Sequence, residues 1–124
     1  MNCVVISVGS NVPDRVSQVE EVLAWFKREF FRVKVSSVYE TPDYSGKNII
    51  YANAVLTAET SWDKDSVEEF LHLKEATQGR TDECRRHGIV PVDLDLVIYN
   101  GEVLRPHELN REYFSIGYSM IKGE

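Results

Sequence analysis

Asp93 and Asp95 stand two residues apart in the run Val92-Asp93-Leu94-Asp95-Leu96. On a β-strand that spacing sends both carboxylates off one face, about 7 Å apart at Cα. Two like charges so close repel unless a cation or arginines intervene. Paired carboxylate oxygens, completed by water and phosphate, are the ligands that Mg²⁺ takes. A bare Asp-x-Asp is also what any solvent-facing strand shows, so its neighbours decide. Arg80, Arg85, Arg86 and His87 cluster immediately upstream. A basic loop beside an acidic pair suits a metal–polyphosphate ligand, since phosphoryl transfer needs positioning and charge neutralisation above all. The same loop read alone is a solvated charged segment.

Tyr51 and Asn53 form a second pair at strand spacing. The asparagine amide offers a donor and an acceptor, which matches the amide-like edge of a heterocycle, and the tyrosine ring can pack beside it. Taken alone they also read as an edge asparagine and a packing aromatic. His72 and His107 read individually as surface or helix-face residues, and Trp25 and Trp62 as core or covering aromatics.

These side chains need a frame, and hydrophobic periodicity supplies one. Met1 to Val8 reads as a buried strand ending at Gly9-Ser10-Asn11, where glycine permits positive φ or close approach of a ligand. Pro13 and Asp14 open a helix whose Val16, Val19, Leu23, Phe26 and Phe30 recur at spacings of three and four. Arg32 to Glu40 reads as a second strand, closed by Thr41-Pro42. A polar loop from Asp43 to Asn48 leads to a third strand over Ile49 to Glu59, with Tyr51, Asn53 and Val55 on one face.

Asp63 or Asp65 can cap a second helix carrying Val67, Phe70, Leu71 and Lys74, which closes near Gly79. Val92 to Tyr99 is the fourth strand, with Val92, Leu94, Leu96 and Ile98 opposite Asp93, Asp95, Val97 and Tyr99. The order β-α-β-β-α-β is the split βαβ pattern of α+β ferredoxin-like domains, an antiparallel sheet with two helices on one face. Residues 101–124 form a short extension, in which Leu109, Tyr113, Ile116 and Met120 fit one face of a helix.

With 124 residues, 43% of them apolar, the chain suits a single domain whose core ends near residue 100. A net charge of −6 and a pI near 5.1 disfavour binding to nucleic acid. No apolar run reaches membrane-spanning length, and Met1 to Ile6 lacks a signal peptide's basic flank, so a cytoplasmic location is expected. Cys3 and Cys84 are too few for a disulfide framework, and Cys3, in an apolar run, is expected to be buried.

Several segments, in order, resemble the 6-hydroxymethyl-7,8-dihydropterin pyrophosphokinases of folate synthesis. They are Val8-Gly9-Ser10-Asn11, Ser36-Ser37-Val38-Tyr39-Glu40-Thr41-Pro42, Tyr51-Ala52-Asn53-Ala54-Val55, Glu75 with Gln78-Gly79-Arg80, and Asp93-Leu94-Asp95-Leu96. The likeness spans roughly residues 3 to 100. It implies a ferredoxin-like fold and Mg²⁺-dependent transfer of pyrophosphate from ATP to the pterin hydroxymethyl.

By position it implies Asp93, Asp95 and Arg80 as the catalytic set, with Asp93 and Asp95 as metal ligands. Gly9, Thr41, Pro42, Tyr51, Asn53 and His87 would then serve the pterin, and His72, Glu75, Arg80 and Arg86 the ATP. The expected partners are those two small molecules, with no nucleic acid and no membrane, on a monomer or at most a weak dimer.

The likeness has gaps. Val90 and Asp82 stand where the family has arginines, His87 where it has an aromatic, and the C-terminal part is shorter. A noncatalytic or weakly active pterin- or nucleotide-binding relative is the alternative reading.

Overall fold

The computed structural model describes residues 1–43, 49–79 and 81–122, with the backbone alone at Arg85. Its elements follow the expected order. Strand β1 (Asn2–Ser10) leads to helix α1 (Arg15–Glu29), and strands β2 (Phe31–Val35), β3 (Tyr39–Pro42) and β4 (Ile50–Thr60) lead to helix α2 (Lys64–Thr77). A short helix α3 (Asp82–Arg86) precedes strands β5 (Asp93–Tyr99) and β6 (Glu102–Val103); a 3₁₀ turn at Pro106–Glu108 then leads to helix α4 (Glu112–Ile121). The sheet order is β2-β4-β1-β5-β6, with β3 also on β4, and the strand pairings among the described residues are antiparallel. Among the described residues no helix is long and apolar enough to cross a membrane.

The side-chain period of two divides this sheet into two unlike faces. One carries Val4, Ile6, Val8, Leu56, Leu94 and Leu96 and packs against Val19, Val22 and Phe26 of α1 and Val67 and Leu71 of α2. Trp25, Phe30, Trp62 and Phe70 extend that core as an aromatic cluster with ring centroids 4.6–6.0 Å apart. Asp63 caps α2 by accepting the Ser66 N–H at 2.8 Å, and Gly79 follows α2 with φ +92°, the left-handed geometry expected of a residue closing a helix.

The opposite face is only partly covered. Val5, Val55, Val97 and Ile98 pack there beneath Phe114 and Ile121 of α4. The extension is therefore helical, but it turns a different face inward from the one its spacing suggests. Phe114, Gly117 and Ile121 are buried, while Ile116 and Met120 are exposed. The glycine sets that orientation, because its missing Cβ lets α4 lie close against the sheet.

Three further expectations are corrected. The second strand is split into β2 and β3, because the Ser36 hydroxyl takes the Val55 N–H at 2.9 Å in place of a backbone carbonyl. In β5 the alternation holds through Val97 and reverses at Ile98 and Tyr99. A register shift between Val5 and Ile6 pairs Val5 with Ile98 and Ile6 with Leu96, so Val97 is the extra residue of a bulge. Val97 and Ile98 thus join the α4 core, and Tyr99 packs against the other. Cys3 is exposed, since α4 ends at Ile121 and the strand begins beyond its cover.

Tyr39 joins this face to its helix. Its hydroxyl donates to the Tyr113 carbonyl at 2.6 Å and accepts the Gly117 N–H at 2.9 Å. A Cβ on Gly117 would stand 2.8 Å from both Tyr39 Oη and Val55 Cγ2. Gly117→Ala should therefore destabilise the fold by roughly 1–3 kcal/mol in urea melts, although alanine is ordinarily the better helix former. An unchanged or raised midpoint would contradict the close approach.

Candidate active site

On the half of the sheet face that α4 leaves open, the side chains shrink. Along β1 they run Val5, Ser7, Gly9, and the register sets a polar residue beside each small one. Gly9 lies between Asn53 on β4 and Asp93 on β5, and Ser7 between Val55 and Asp95. Two strand spacings separate Asn53 from Asp93, roughly 10 Å across a floor with no side chain at its centre. The result is a cavity of about 190 Å³ lined by Ser7, Gly9, Thr41, Pro42, Asp43, Tyr51, Asn53, Asp93 and Tyr113. Gly9 does not adopt the positive φ that the sequence allowed; it provides open floor, and a Cβ there would meet nothing closer than Asn53 Oδ1 at 3.6 Å.

The orientation of Asn53 follows from its hydrogen bonds. Its amide nitrogen donates to Thr41 Oγ1 at 2.8 Å and points at the Tyr51 and Tyr39 carbonyls at 3.3 and 3.4 Å. Oδ1 therefore faces the Gly9 floor, so Asn53 offers the cavity an acceptor to which a ligand N–H can donate.

Asp95 carries the strongest electrostatic demand. Burial and then the neighbouring Asp93 and Glu108 push its carboxyl up to about 8, against a smaller opposing pull from Arg105. Arg105 Nη2 lies 3.7 Å from Asp95 Oδ1. The donor set is one of hard oxygens, and its like charges call for a cation, which fits a divalent ion. Among the described residues no group of three or more His, Cys, Asp or Glu side chains gathers to hold a metal ion. Mg²⁺ commonly takes one or two carboxylates and completes its shell with water and phosphate oxygens.

Glu75, buried on α2, reaches the open edge of β5. Its Oε2 accepts the Leu94 N–H at 2.7 Å, between the two aspartates, while Oε1 lies 3.5 Å from His72 Nδ1. Asn11 fixes the segment before β5, accepting the Val90 N–H at 2.6 Å and donating to the Gly88 carbonyl at 2.8 Å. On the α4 side Tyr113 donates to Glu108 Oε1 at 2.9 Å, and burial and that carboxylate raise its phenol above the ordinary value.

Of the residues singled out in the sequence, Gly9, Thr41, Pro42, Tyr51, Asn53 and Asp93 come together at the cavity. Asp95 follows Asp93 along the same face of β5, and Glu75 with His72 braces that strand from α2. Arg86 and His87 are exposed and are not among the cavity-lining residues, and Arg80 lies outside the described residues. Ser7 and Arg105 carry no signal of their own in the sequence, and Tyr113 reads there only as part of a helix face. Ser7 could have been found by stepping back two residues from Gly9; the other two enter through the extension.

The family model described as 7,8-dihydro-6-hydroxymethylpterin-pyrophosphokinase matches residues 5–122. The chain is 33% identical over 113 residues to the folate synthesis bifunctional protein, mitochondrial, of Pisum sativum, covering 85% of this chain and 22% of that one. It is 31% identical over 107 residues to the 2-amino-4-hydroxy-6-hydroxymethyldihydropteridine pyrophosphokinase of Aquifex aeolicus, covering 85% of this chain and 66% of that one. To a folate synthesis bifunctional protein of Arabidopsis thaliana it is 30% identical over 113 residues, covering 85% of this chain and 23% of that one. The chain thus spans about a fifth of the plant relatives.

The raised carboxyl of Asp95 makes stability depend on pH with a definite sign. The folded chain binds the proton more tightly than the unfolded one, so the contribution of Asp95 is most favourable below its ordinary value near 3.8 and is lost as pH rises toward about 8. Asp95→Asn should therefore raise the stability of the metal-free chain at pH 8 by roughly 1–2 kcal/mol, with the difference shrinking toward pH 4. Paired thermal melts across that range would show it; a variant less stable than the parent at pH 8 would contradict the assignment.

Proposed function

The chain belongs to the 7,8-dihydro-6-hydroxymethylpterin-pyrophosphokinase family, and from that premise we propose that it transfers pyrophosphate from ATP to 6-hydroxymethyl-7,8-dihydropterin. The observation that carries this reading is the cross-strand row Asn53–Gly9–Asp93. It sets a hydrogen-bond acceptor and a carboxylate at opposite sides of an open floor.

In the proposed complex the flat bicyclic ring lies over Gly9, with Tyr51 and Tyr113 beside it. Asn53 Oδ1 accepts from the ring's amide or amine N–H, its own nitrogen being held by Thr41. That arrangement points the hydroxymethyl group toward β5, where Asp93 and Asp95 would hold Mg²⁺. A bound ion would supply charge neutralisation to the phosphates there. The hydroxymethyl oxygen attacks the β-phosphorus, the bond from that phosphorus to the α-bridging oxygen breaks, the hydroxyl proton is released, and AMP leaves. Orientation supplies much of the rate, because two bound reactants in line react as one molecule. Glu75 and Asn11 contribute by fixing β5 and the strand entry, so that the carboxylates meet the ligand already in place.

A coupled assay that follows AMP release from ATP and the hydroxymethyl-dihydropterin tests this directly. Turnover that requires both substrates and Mg²⁺ is the expected result. Binding of pterin and nucleotide without AMP would point instead to a noncatalytic binding relative, and binding of neither would remove the reading altogether. Asp95→Asn should abolish Mg²⁺-dependent binding of a nonhydrolysable ATP analogue in calorimetry while leaving the fold intact. Unchanged affinity in that variant would mean that the pair is not the metal site.

A further inference from the structure

We propose that Arg105, held between Asp95 and the buried carboxylate of Glu108, is the phosphate-facing cation of this site, with Glu108 as its positioning residue. The proposal rests on the pyrophosphokinase reading above. Glu108 is only 2% exposed, and its Oε2 is buried without a hydrogen-bond partner. A buried carboxylate in that state is costly unless a cation compensates it. The Nε of Arg105 stands 3.7 Å from that oxygen, and its Nη2 stands 3.7 Å from Asp95 Oδ1.

Both separations are beyond hydrogen-bonding reach. The guanidinium is therefore attracted by two carboxylates and locked to neither. Its planar fork of five N–H donors matches phosphate oxygens, and a short shift of the side chain closes either ion pair as the phosphate arrives. The approach is open as well. The Arg105 side chain is 35% exposed and lines, with Lys64, Asp65, Glu68, Leu104 and His107, a surface cleft of about 390 Å³ in which its charge and that of Lys64 stand against two carboxylates.

Arg105 and Glu108 follow β5 in the extension, within the residues 5–122 that the family model matches. Tyr113 ties the pair to the cavity, because the phenol lining it donates to Glu108 Oε1 at 2.9 Å. A glutamine at position 108 would keep an acceptor for that phenol and remove the charge that orients Arg105.

The test compares turnover, and binding of a nonhydrolysable ATP analogue, in the parent, Arg105→Ala, Arg105→Lys, Glu108→Gln and the double variant, each checked for folding by thermal melt. Arg105→Ala should lower kcat/KM about 10²-fold, with Arg105→Lys recovering part of the loss, as expected for one positioned charge in a phosphoryl-transfer site. Glu108→Gln should lower it about 10-fold, yet add less than about twofold in the Arg105→Ala background, since a positioning residue has nothing left to position. If Arg105→Ala fails to fold, Arg105→Gln takes its place in the same comparison. An active parent with Arg105→Ala within about threefold of it, or two losses that simply multiply, overturns the proposal and leaves the proposed function standing. A parent that neither turns over nor binds the triphosphate overturns both.

Discussion

Strand β1 pairs with β4 along one side and β5 along the other, and both registers are fixed by what its alternate residues must bury. Val4, Ile6 and Val8 have to face α1 and α2, so Ser7 and Gly9 have to face the other way. A slip of one residue would put the valines in solvent and the small residues in the core. Because the apolar pattern forbids that slip, Gly9 stays between Asn53 and Asp93, and Ser7 stays beside Asp95. Helix α4 then covers only the half of this face that carries Val5, Val55 and Val97, pinned by the double hydrogen bond of Tyr39. The cavity is the uncovered half, shaped by side chains that become smaller along one strand.

The site sits at odds with the stability of its frame. Asp93, Asp95 and Glu108 gather on a half-enclosed surface, and burial first, then the neighbouring carboxylates, make Asp95 hold its proton far above the ordinary range. A fold selected for stability alone would place fewer carboxylates there. Their repulsion makes sense if a cation or polyphosphate complex relieves it, and the apolar core beneath, with Phe26, Leu96 and Val67 fully buried, tolerates the cost. Glu75 limits how far the strain spreads by tying the Leu94 amide to α2 between the two aspartates.

Local features of this architecture were legible in the sequence because they repeat at short range. The period of two in β1 and β5 put Asp93 and Asp95 together, and that of β4 put Tyr51 beside Asn53. The likeness to a known family then added Thr41 and Pro42. What escaped depends on contacts across long separations. The bulge at Val97 arises from pairing with β1, and the side chain of Ser36 breaks the second strand through an amide on β4. Gly117 turned the last helix to a face that its apolar spacing did not favour, because close approach to Tyr39 outweighs the burial of Ile116 and Met120. Arg105 and Glu108 carry no periodic signal, and Tyr113 reads only as a helix-face residue; the turn at Pro106–Glu108 brings Arg105 to Asp95 and Tyr113 to the cavity.

The claim on which the rest stands is that the Ser7–Gly9 half of this sheet face, bounded by Asp93 and Asp95, receives a divalent ion together with the nucleotide. Paramagnetic relaxation of the backbone amides, measured on the isotopically labelled chain with Mn²⁺ and a nonhydrolysable ATP analogue, reports ion position directly. The account predicts that the amides of Ser7, Gly9, Asp93 and Asp95 broaden first and together, while those of α1 keep their linewidths. Broadening centred elsewhere, or none with the analogue bound, would contradict it.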